Sequence, residues 1–419
     1  MVVRFIHTAD IHLDSPLRGL ERYEGAPKLL RSATRQAFDN LIKLAVDQGV
    51  DFVLIAGDLY DGDWLDYNTG LYFVRQMNVL REAGISVFLV RGNHDAASQI
   101  AKSLTLPDNV REFSCQGPET VILDSLGVAL HGQGYLQRQE TSNLARNYPD
   151  PVPGLVNIGL LHTALDGREG HEPYAPCSVD ELVNKGYDYW ALGHVHSREF
   201  VHREPWIVYP GSLQGRHVRE TGAKGCTVVS LDHGQVYSVE EVDLDVLRWC
   251  RCLIDCSQAS SLEEVLDKVQ SHVQQELEAA AGRLIALRLE LGGISPADGA
   301  LRRDPEWLQA EIRAVVQATA GDYAWVEKIK VRTTGVRRQP VQEHLPSGFL
   351  QKLFAELPHD ETLLELVNQY FQELKAKLPS ELFAQYRELN LEDPQARQEL
   401  LEQAISLAEL ALGPKEAVG

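Results

Sequence analysis

The sequence predicts an α/β fold in three parts: a two-sheet α/β core over residues 1–245, a small β-α-β-α-β domain over 246–336, and a helical tail over 337–419. Three observations carry this reading. Up to residue 245, short apolar β-branched runs alternate with longer helical patterns, which marks an α/β layer fold. From Leu247 to Gly335 the order becomes strand, helix, strand, helix, strand. Beyond that, apolar stripes recur at helical spacing, and Pro379 and Pro394 cut them into at least three helices.

Taken in order, Phe5-Ile6 lie in the first strand, and a helix is expected from Lys28 to Gln48. Gly49 stops that helix, as Gly84 stops a second from Tyr67 to Ala83. Each glycine leads into a strand, Phe52 to Ile55 and Val87 to Val90; Val156 to Leu161 and Tyr189 to Leu192 are two more. After Leu192 come short strands at Trp206 to Tyr209, Thr227 to Leu231 and Gln235 to Val242. They read as a second sheet, with Asp232-His233-Gly234 as a hairpin turn. In the second domain, strands Arg251 to Asp255, Leu284 to Leu291 and Ala324 to Val331 alternate with helices Leu262 to Ala280 and Pro305 to Ala318. Ser260-Ser261-Leu262-Glu263 opens the first of these helices with a capping-box-like pattern. The tail stripes are Leu350, Leu353 and Phe354, then Leu363, Leu364, Val367, Tyr370, Phe371 and Leu374.

Composition narrows the function classes. At 419 residues the chain exceeds one ordinary core, and 44% hydrophobic with 24% charged residues is ordinary globular usage. No run approaches the ~20 apolar residues of a membrane span, and the N-terminus passes straight into a strand. A cytoplasmic chain is therefore expected, not a secreted one. Six cysteines (115, 177, 226, 250, 252, 256) are scattered without a CxxC pair and read as free thiols in a reducing compartment. A net charge of -20 disfavours binding nucleic acid by bulk attraction. From Val341 to Gly419 fourteen acidic residues stand against six basic ones, a local net of -8, and no Lys/Arg block appears anywhere.

Five short motifs follow the apolar runs: Asp10-x-His12, Gly57-Asp58-x-x-Asp61, Gly92-Asn93-His94-Asp95, His162, and Gly193-His194-x-His196. A strand ending in Asp-x-His aims both side chains from one face, because alternate residues share a face. Open α/β folds place their sites at such C-terminal strand ends. Gly92 is expected to permit a tight turn, and Asn93 offers a neutral oxygen ligand. Oxygen and imidazole ligands without thiolate suit Mn, Fe or Zn in a reactive site rather than a structural zinc. Enough ligands are present for two ions, and paired ions about 3.5–4 Å apart clamp the oxygens of a phosphoryl transfer. Arg91 and Arg216 are plausible phosphate contacts. Asp61 and Asp14 lie within motifs, the latter as a hydrogen-bonding loop residue. His7, His131, His171, His202 and His217 are read as structural or solvated, with His131 near enough in pattern to approach the site.

The motif set resembles the calcineurin-like metallophosphoesterase superfamily. Thr8-Ala9-Asp10-Ile11-His12-Leu13-Asp14-Ser15-Pro16 and Tyr209-Pro210-Gly211-Ser212-Leu213-Gln214-Gly215-Arg216 are similar to its DNA-repair exonuclease branch, the SbcD-like nucleases and within them the YhaO-type members. The resemblance covers about residues 1–245. It implies a metallophosphoesterase sandwich in which Asp10, His12 and His196 hold one ion, Asn93, His162 and His194 hold the other, and Asp58 bridges both. A water between the ions would be the nucleophile. His94 would act on the phosphate or leaving oxygen, with Asp95 orienting it. Two divalent ions are implied, Mn²⁺ first, with Fe²⁺ or Zn²⁺ as alternatives.

Two function classes remain at this stage. The first is a metal-dependent DNA exonuclease or endonuclease, with the second domain as a DNA-contacting cap. Its tail would dock on an SbcC-like coiled-coil ATPase, or pair with its own copy in a homodimer. The second is a small-molecule phosphodiesterase or phosphatase with the same ions and the cap as a lid. A scaffold that keeps the ions only for structure is disfavoured by the full ligand set.

Overall fold

A computed structural model describes residues 2–17, 20, 32–61, 67–97, 104–165, 173–336 and the single positions 372, 400, 403 and 404. The chain divides into two compact units, Met1–Thr334 and Gly335–Gly419. The expected tail helices and their stripes lie outside the described residues, as do His171 and the expected helix start at Lys28. The boundary expected at 245/246 falls inside the first unit.

Two six-stranded mixed sheets and one three-stranded sheet make up the first unit. The first sheet contains β1 (Val3–Thr8), β2 (Phe52–Ala56), β3 (Ser86–Val90), β4 (Val110–Glu112), β11 (Gly225–Asp232) and β12 (Gln235–Asp243), in the order β12-β11-β1-β2-β3-β4. The second contains β5 (Glu119–Leu123), β6 (Val128–Gly132), β7 (Val156–His162), β8 (Tyr189–Gly193), β9 (Glu199–Arg203) and β10 (Trp206–Tyr209), in the order β5-β6-β7-β8-β10-β9. Strands β1, β2 and β3 are parallel, as are β6, β7 and β8, so both sheets present C-terminal strand ends.

Burial on both faces explains the unbroken apolar runs of these strands. Phe5, Phe52, Leu54 and Phe88 point between the sheets and meet Leu130, Ile158, Leu160 and Tyr189. Phe5 stacks on Phe52 with ring centroids 4.9 Å apart. The alternate residues Ile6, Val53, Ile55 and Val87 face outward onto helices α1 (Ala33–Gln48) and α2 (Tyr67–Glu82), where Phe38, Leu41, Phe73 and Met77 cover them. Gly49 ends α1 at φ 57°, as a C-terminal helix glycine should.

One expectation is corrected. Thr227 to Leu231 and Gln235 to Val242 do not belong to the second sheet. β11 pairs antiparallel with β1, and β12 pairs with β11 as the edge of the first sheet. Of the three late strands, only Trp206–Tyr209 joins the second sheet, next to β8. Strand order is set by non-local pairing, which local patterning does not report. The hairpin turn stands where expected, with His233 at φ 50° and Gly234 at φ 75°, a two-residue loop with both central residues left-handed. Strands β4, β5, β6 and β9 and the short helices Asn93–Ala97, Val179–Asn184 and Asp298–Arg303 are additions to the expected elements.

The third sheet, β13 (Leu247–Asp255), β14 (Leu284–Ser295) and β15 (Ala324–Gly335), packs on helices Leu262–Ala279 and Pro305–Ala320 through Ile254, Val265, Val269, Ile285, Leu287 and Ile312. Ser261 caps the first helix by accepting from the Glu264 N–H at 3.3 Å. Trp249 and Ala286 turn the other way and pack with Leu17 and Val218 of the preceding domain. All six cysteines are free, five of them buried. Among the described residues, no helix is long and apolar enough to cross a membrane.

Candidate metal centre

The segments leaving β1 and β2 run side by side. Asp10 N–H donates to the Gly57 carbonyl at 3.0 Å, His12 N–H to Asp58 at 3.1 Å, and Leu13 N–H to Leu59 at 2.9 Å. Asp10 and His12 are thereby placed against Asp58 at the crest between the sheets. The backbone there is unusual: Asp10 (φ 49°), His12 (φ 45°), Asp58 (φ 53°) and His194 (φ 102°) all have positive φ. Such residues are uncommon, and Asp and His tolerate the conformation better than most.

Three motif glycines are needed for close approach. A Cβ on Gly57 would lie 2.4 Å from His162 Nδ1, one on Gly92 2.3 Å from Asp58 Oδ1, and one on Gly193 1.9 Å from the Ala56 carbonyl oxygen. Gly92 therefore serves clearance, not the tight turn expected of it. Each glycine immediately precedes a ligand candidate, so it lets strand ends close to within contact of one another.

The donor atoms of the motifs converge on one another. His162 Nδ1 donates to the Ala56 carbonyl at 2.9 Å. A carbonyl only accepts, so that nitrogen carries the proton and Nε2 keeps a lone pair. Nε2 lies 3.1 Å from Asn93 Oδ1 and 3.5 Å from Asp58 Oδ2, so three acceptors face one another. Asp58 Oδ1 accepts from the His94 N–H at 2.9 Å, and Oδ2 is also 3.8 Å from His12 Nε2. Both ring nitrogens of His12 are buried without a hydrogen-bond partner. Burial, with Arg216 nearby, pushes His12 down to about 4, so the ring is a neutral ligand. An orphaned imidazole and facing acceptors, all buried, are the features a divalent cation would satisfy.

Two further groups complete the crest. His196 Nε2 is 3.6 Å from Asp10 Oδ1, and Asp10 Oδ2 accepts from the His194 N–H at 3.0 Å. The His194 and His162 rings lie 5.2 Å apart. Ligand atoms gather within 4.8 Å of one another in three sets: Asp10, His12 and His196; Asp10, Asp58 and His162; and His12, Asp61 and His94. These clusters fit a dimetal site. All seven ligand candidates named from the sequence are brought to this one crest.

His94 and Asp95 separate in space. His94 Nδ1 lies 3.1 Å from Asp61 Oδ1, so Asp61, not Asp95, faces the imidazole. Burial lowers the His94 pKa, yet the Asp61 hydrogen bond and the Asp58 charge outweigh it and raise the value. Asp95 is turned inward, where its carboxylate accepts from the N–H groups of Tyr60 at 2.9 Å, Gly92 at 3.1 Å and Leu59 at 3.2 Å. Burial and the Asp58 charge push it up to about 6. It braces the Asp58 and Asn93 loops against each other. The role expected of it failed because neighbours in sequence on a helical turn point in different directions; Asn93–Ala97 is helical.

Other candidates sort by contact. Asp14 pairs with Arg35 and Thr69, as a loop residue. His131 sits between Thr120 and Asn157, away from the crest, and His7 joins Tyr189 to the Leu192 carbonyl. Arg91 pairs with Glu112, whereas Arg216 reaches the site, 3.8 Å from Asp61 Oδ1. Glu220, which no motif singled out, lies 2.7 Å from His196 Nδ1.

Residues 3–198 match the family model for calcineurin-like phosphoesterases, and residues 249–334 match the model for the middle domain of the metallophosphoesterase YhaO. The uncharacterized metallophosphoesterase YhaO of Bacillus subtilis is 35% identical over 297 residues, 70% of this chain and 72% of that protein. The DNA double-strand break repair protein Mre11 of Methanopyrus kandleri is 28% identical over 59% of this chain and 58% of its own. Its namesake from Sulfurisphaera tokodaii is 23% identical over 58% and 63%. This chain thus spans less than two thirds of either Mre11. A crystal structure of a dimetal phosphatase from Danio rerio aligns with 55% of this chain and 93% of its own, at 12% identity and a TM-score of 0.33.

Proposed function

We propose that this chain, which belongs to the YhaO-type calcineurin-like metallophosphoesterases, is a DNA nuclease that hydrolyses phosphodiester bonds at its dimetal centre. The reading of hydrolysis rests on one observation above all: the orphaned His12 nitrogens beside the facing acceptors of His162, Asn93 and Asp58. Asp10, His12 and His196 would hold one ion, Asn93, His162 and His194 the other, and Asp58 would bridge them. Bound ions supply the charge that lowers the pKa of an attacking water and offsets charge on the phosphoryl oxygens.

The protein's own groups do the rest. Asp10, His12, Asp58 and His162 are sealed from solvent, while His94, Asp61 and His196 are 22–28% exposed. Substrate therefore enters from the His94 side. The Asp61 carboxylate accepts from His94 Nδ1–H, which leaves Nε2 as the nitrogen that would protonate the leaving oxygen. Arg216 stands beside Asp61 as a guanidinium for a phosphate oxygen.

DNA as the substrate is supported by the two Mre11 relatives, which are named for DNA double-strand break repair. An SbcC-like ATPase docking on residues 337–419 belongs to the same proposal, and Mn²⁺ is the ion that an imidazole-rich oxygen site favours over Mg²⁺. The test is digestion of linear double- and single-stranded DNA with Mn²⁺, beside a panel of nucleotides and a bis-aryl phosphodiester. Release of nucleotides or fragments from DNA is expected. Turnover confined to nucleotides or the aryl ester would make the protein a small-molecule phosphodiesterase instead.

A further inference from the structure

The two imidazoles that anchor opposite ends of the centre are held from behind by different groups. His162 Nδ1 donates to a backbone carbonyl, that of Ala56. His196 Nδ1 instead meets a carboxylate, Glu220 Oε1, at 2.7 Å. Glu220 is only 6% exposed. Its second oxygen accepts from the Arg216 backbone N–H at 2.7 Å, and the Arg216 guanidinium lies 3.4 Å from Oε1. The loop carrying it is tight: Glu220 N–H donates to the His217 carbonyl at 2.8 Å, and a Cβ on Gly215 would lie 2.8 Å from the Glu220 carbonyl oxygen. The backbone of His196 is held as well, by Lys224 Nζ donating to its carbonyl at 2.9 Å.

We infer that Glu220 is a positioning residue for one half of the metal centre, locking His196 in the tautomer that ligates through Nε2 and seating Arg216 at the mouth of the site. A carboxylate only accepts, so His196 Nδ1 carries a proton held by Glu220, and Nε2, 3.6 Å from Asp10, is the nitrogen left to give up its proton to an ion. An anionic partner also makes a histidine a more basic ligand than a carbonyl partner does, and losing such a partner typically weakens metal binding about 10–100-fold. The effect is one-sided. The ion on Asp10, His12 and His196 depends on Glu220; the ion on Asn93, His162 and His194 relies on the Ala56 carbonyl and does not. The inference rests on the dimetal assignment above.

The experiment is a Mn²⁺ titration of the metal-free full chain, reading free Mn²⁺ by electron paramagnetic resonance, for wild type, Glu220→Gln and Glu220→Ala. In parallel, histidine-labelled protein loaded with diamagnetic Zn²⁺ gives the ligating nitrogen of His196 from its ring ¹⁵N resonances. Wild type is expected to bind two ions and, loaded with Zn²⁺, to ligate through His196 Nε2 with Nδ1 still protonated. Glu220→Ala should keep one ion at wild-type affinity and bind the other about 10–100-fold more weakly. Glu220→Gln, whose amide oxygen still accepts from Nδ1–H, should fall in between and keeps the test available if the alanine variant does not fold. Two tight ions in both variants, or ligation through His196 Nδ1 in the Zn²⁺-loaded wild type, would overturn the role of Glu220 while leaving the dimetal reading intact. A wild-type protein that binds no Mn²⁺ would overturn the dimetal reading and this inference together.

Discussion

The loops at the crest of the two large sheets and the three-stranded domain that follows them are built on opposite terms. In the smaller domain, β13 and β14 pair through nine consecutive residues without a register shift. Its helices begin at Ser261 and Asp304, each accepting from a first-turn N–H, with Pro305 at the first helical position. Buried Glu290 meets Arg251, and Glu327 meets Arg288, in two-bond forks. At the crest, four ligand candidates hold left-handed backbone and His12 has no partner for either nitrogen. Residues so held cost of order 1–3 kcal/mol each, and they persist only where the surroundings over-determine them. Left-handed non-glycine backbone gathers at the crest, whereas among the described residues of the small domain Ala281, at φ 51°, is the single example.

The contrast is open to direct attack. Its largest expected effect is at Asp58, the carboxylate that faces both His12 and His162. Asp58→Ala should release the ions and lower hydrolysis by more than about 10⁴-fold, the scale of a lost central catalytic group. Metal content by mass spectrometry and rate should fall together. Two retained ions at full rate would show that the crest is not the centre.

Next comes His94, whose Nδ1 faces Asp61. His94→Ala should keep both ions and slow turnover by about 10²–10⁴-fold. Anomalous scattering from a metal bonded to His94 would place it among the ligands and remove the acid role.

The small domain should respond in the other currency. Ile312 is fully buried in its core, and Ile312→Ala should cost about 2–5 kcal/mol on denaturant unfolding. The metal stoichiometry of the folded variant should stay at the wild-type value. A loss of ions would mean that the two regions are not independent.

The smallest expected effect is stabilisation by the ions themselves. Mn²⁺ at about 100 times its dissociation constant should add about 2.7 kcal/mol, because it binds the folded state alone. The rise in Tm should vanish in Asp58→Ala and survive in Ile312→Ala. Equal stabilisation of all three proteins would locate the bound Mn²⁺ elsewhere.

By itself the sequence determined the α/β class, the strands that end in ligands and the residue types at those ends. Apolar runs buried on both faces make Phe52–Ala56 and Tyr189–Gly193 visible as strands, and glycine followed by Asp, Asn or His marks the close approach that follows. These are local facts, carried by side-chain chemistry and spacing. Which sheet a strand joins is not local: β11 and β12 fall beside β1 because residues more than 200 positions apart pair, and no window of the sequence contains both. The same holds for the partners of the crest imidazoles. Asp61 reaches His94 across 33 positions, while adjacent Asp95 turns inward to the backbone of the neighbouring loop. Glu220 carries no motif at all and acquires its meaning only where a tight loop closes its carboxylate onto His196. Ligand chemistry is a property of residues, but the direction in which each ligand points is set by the chain packed behind it.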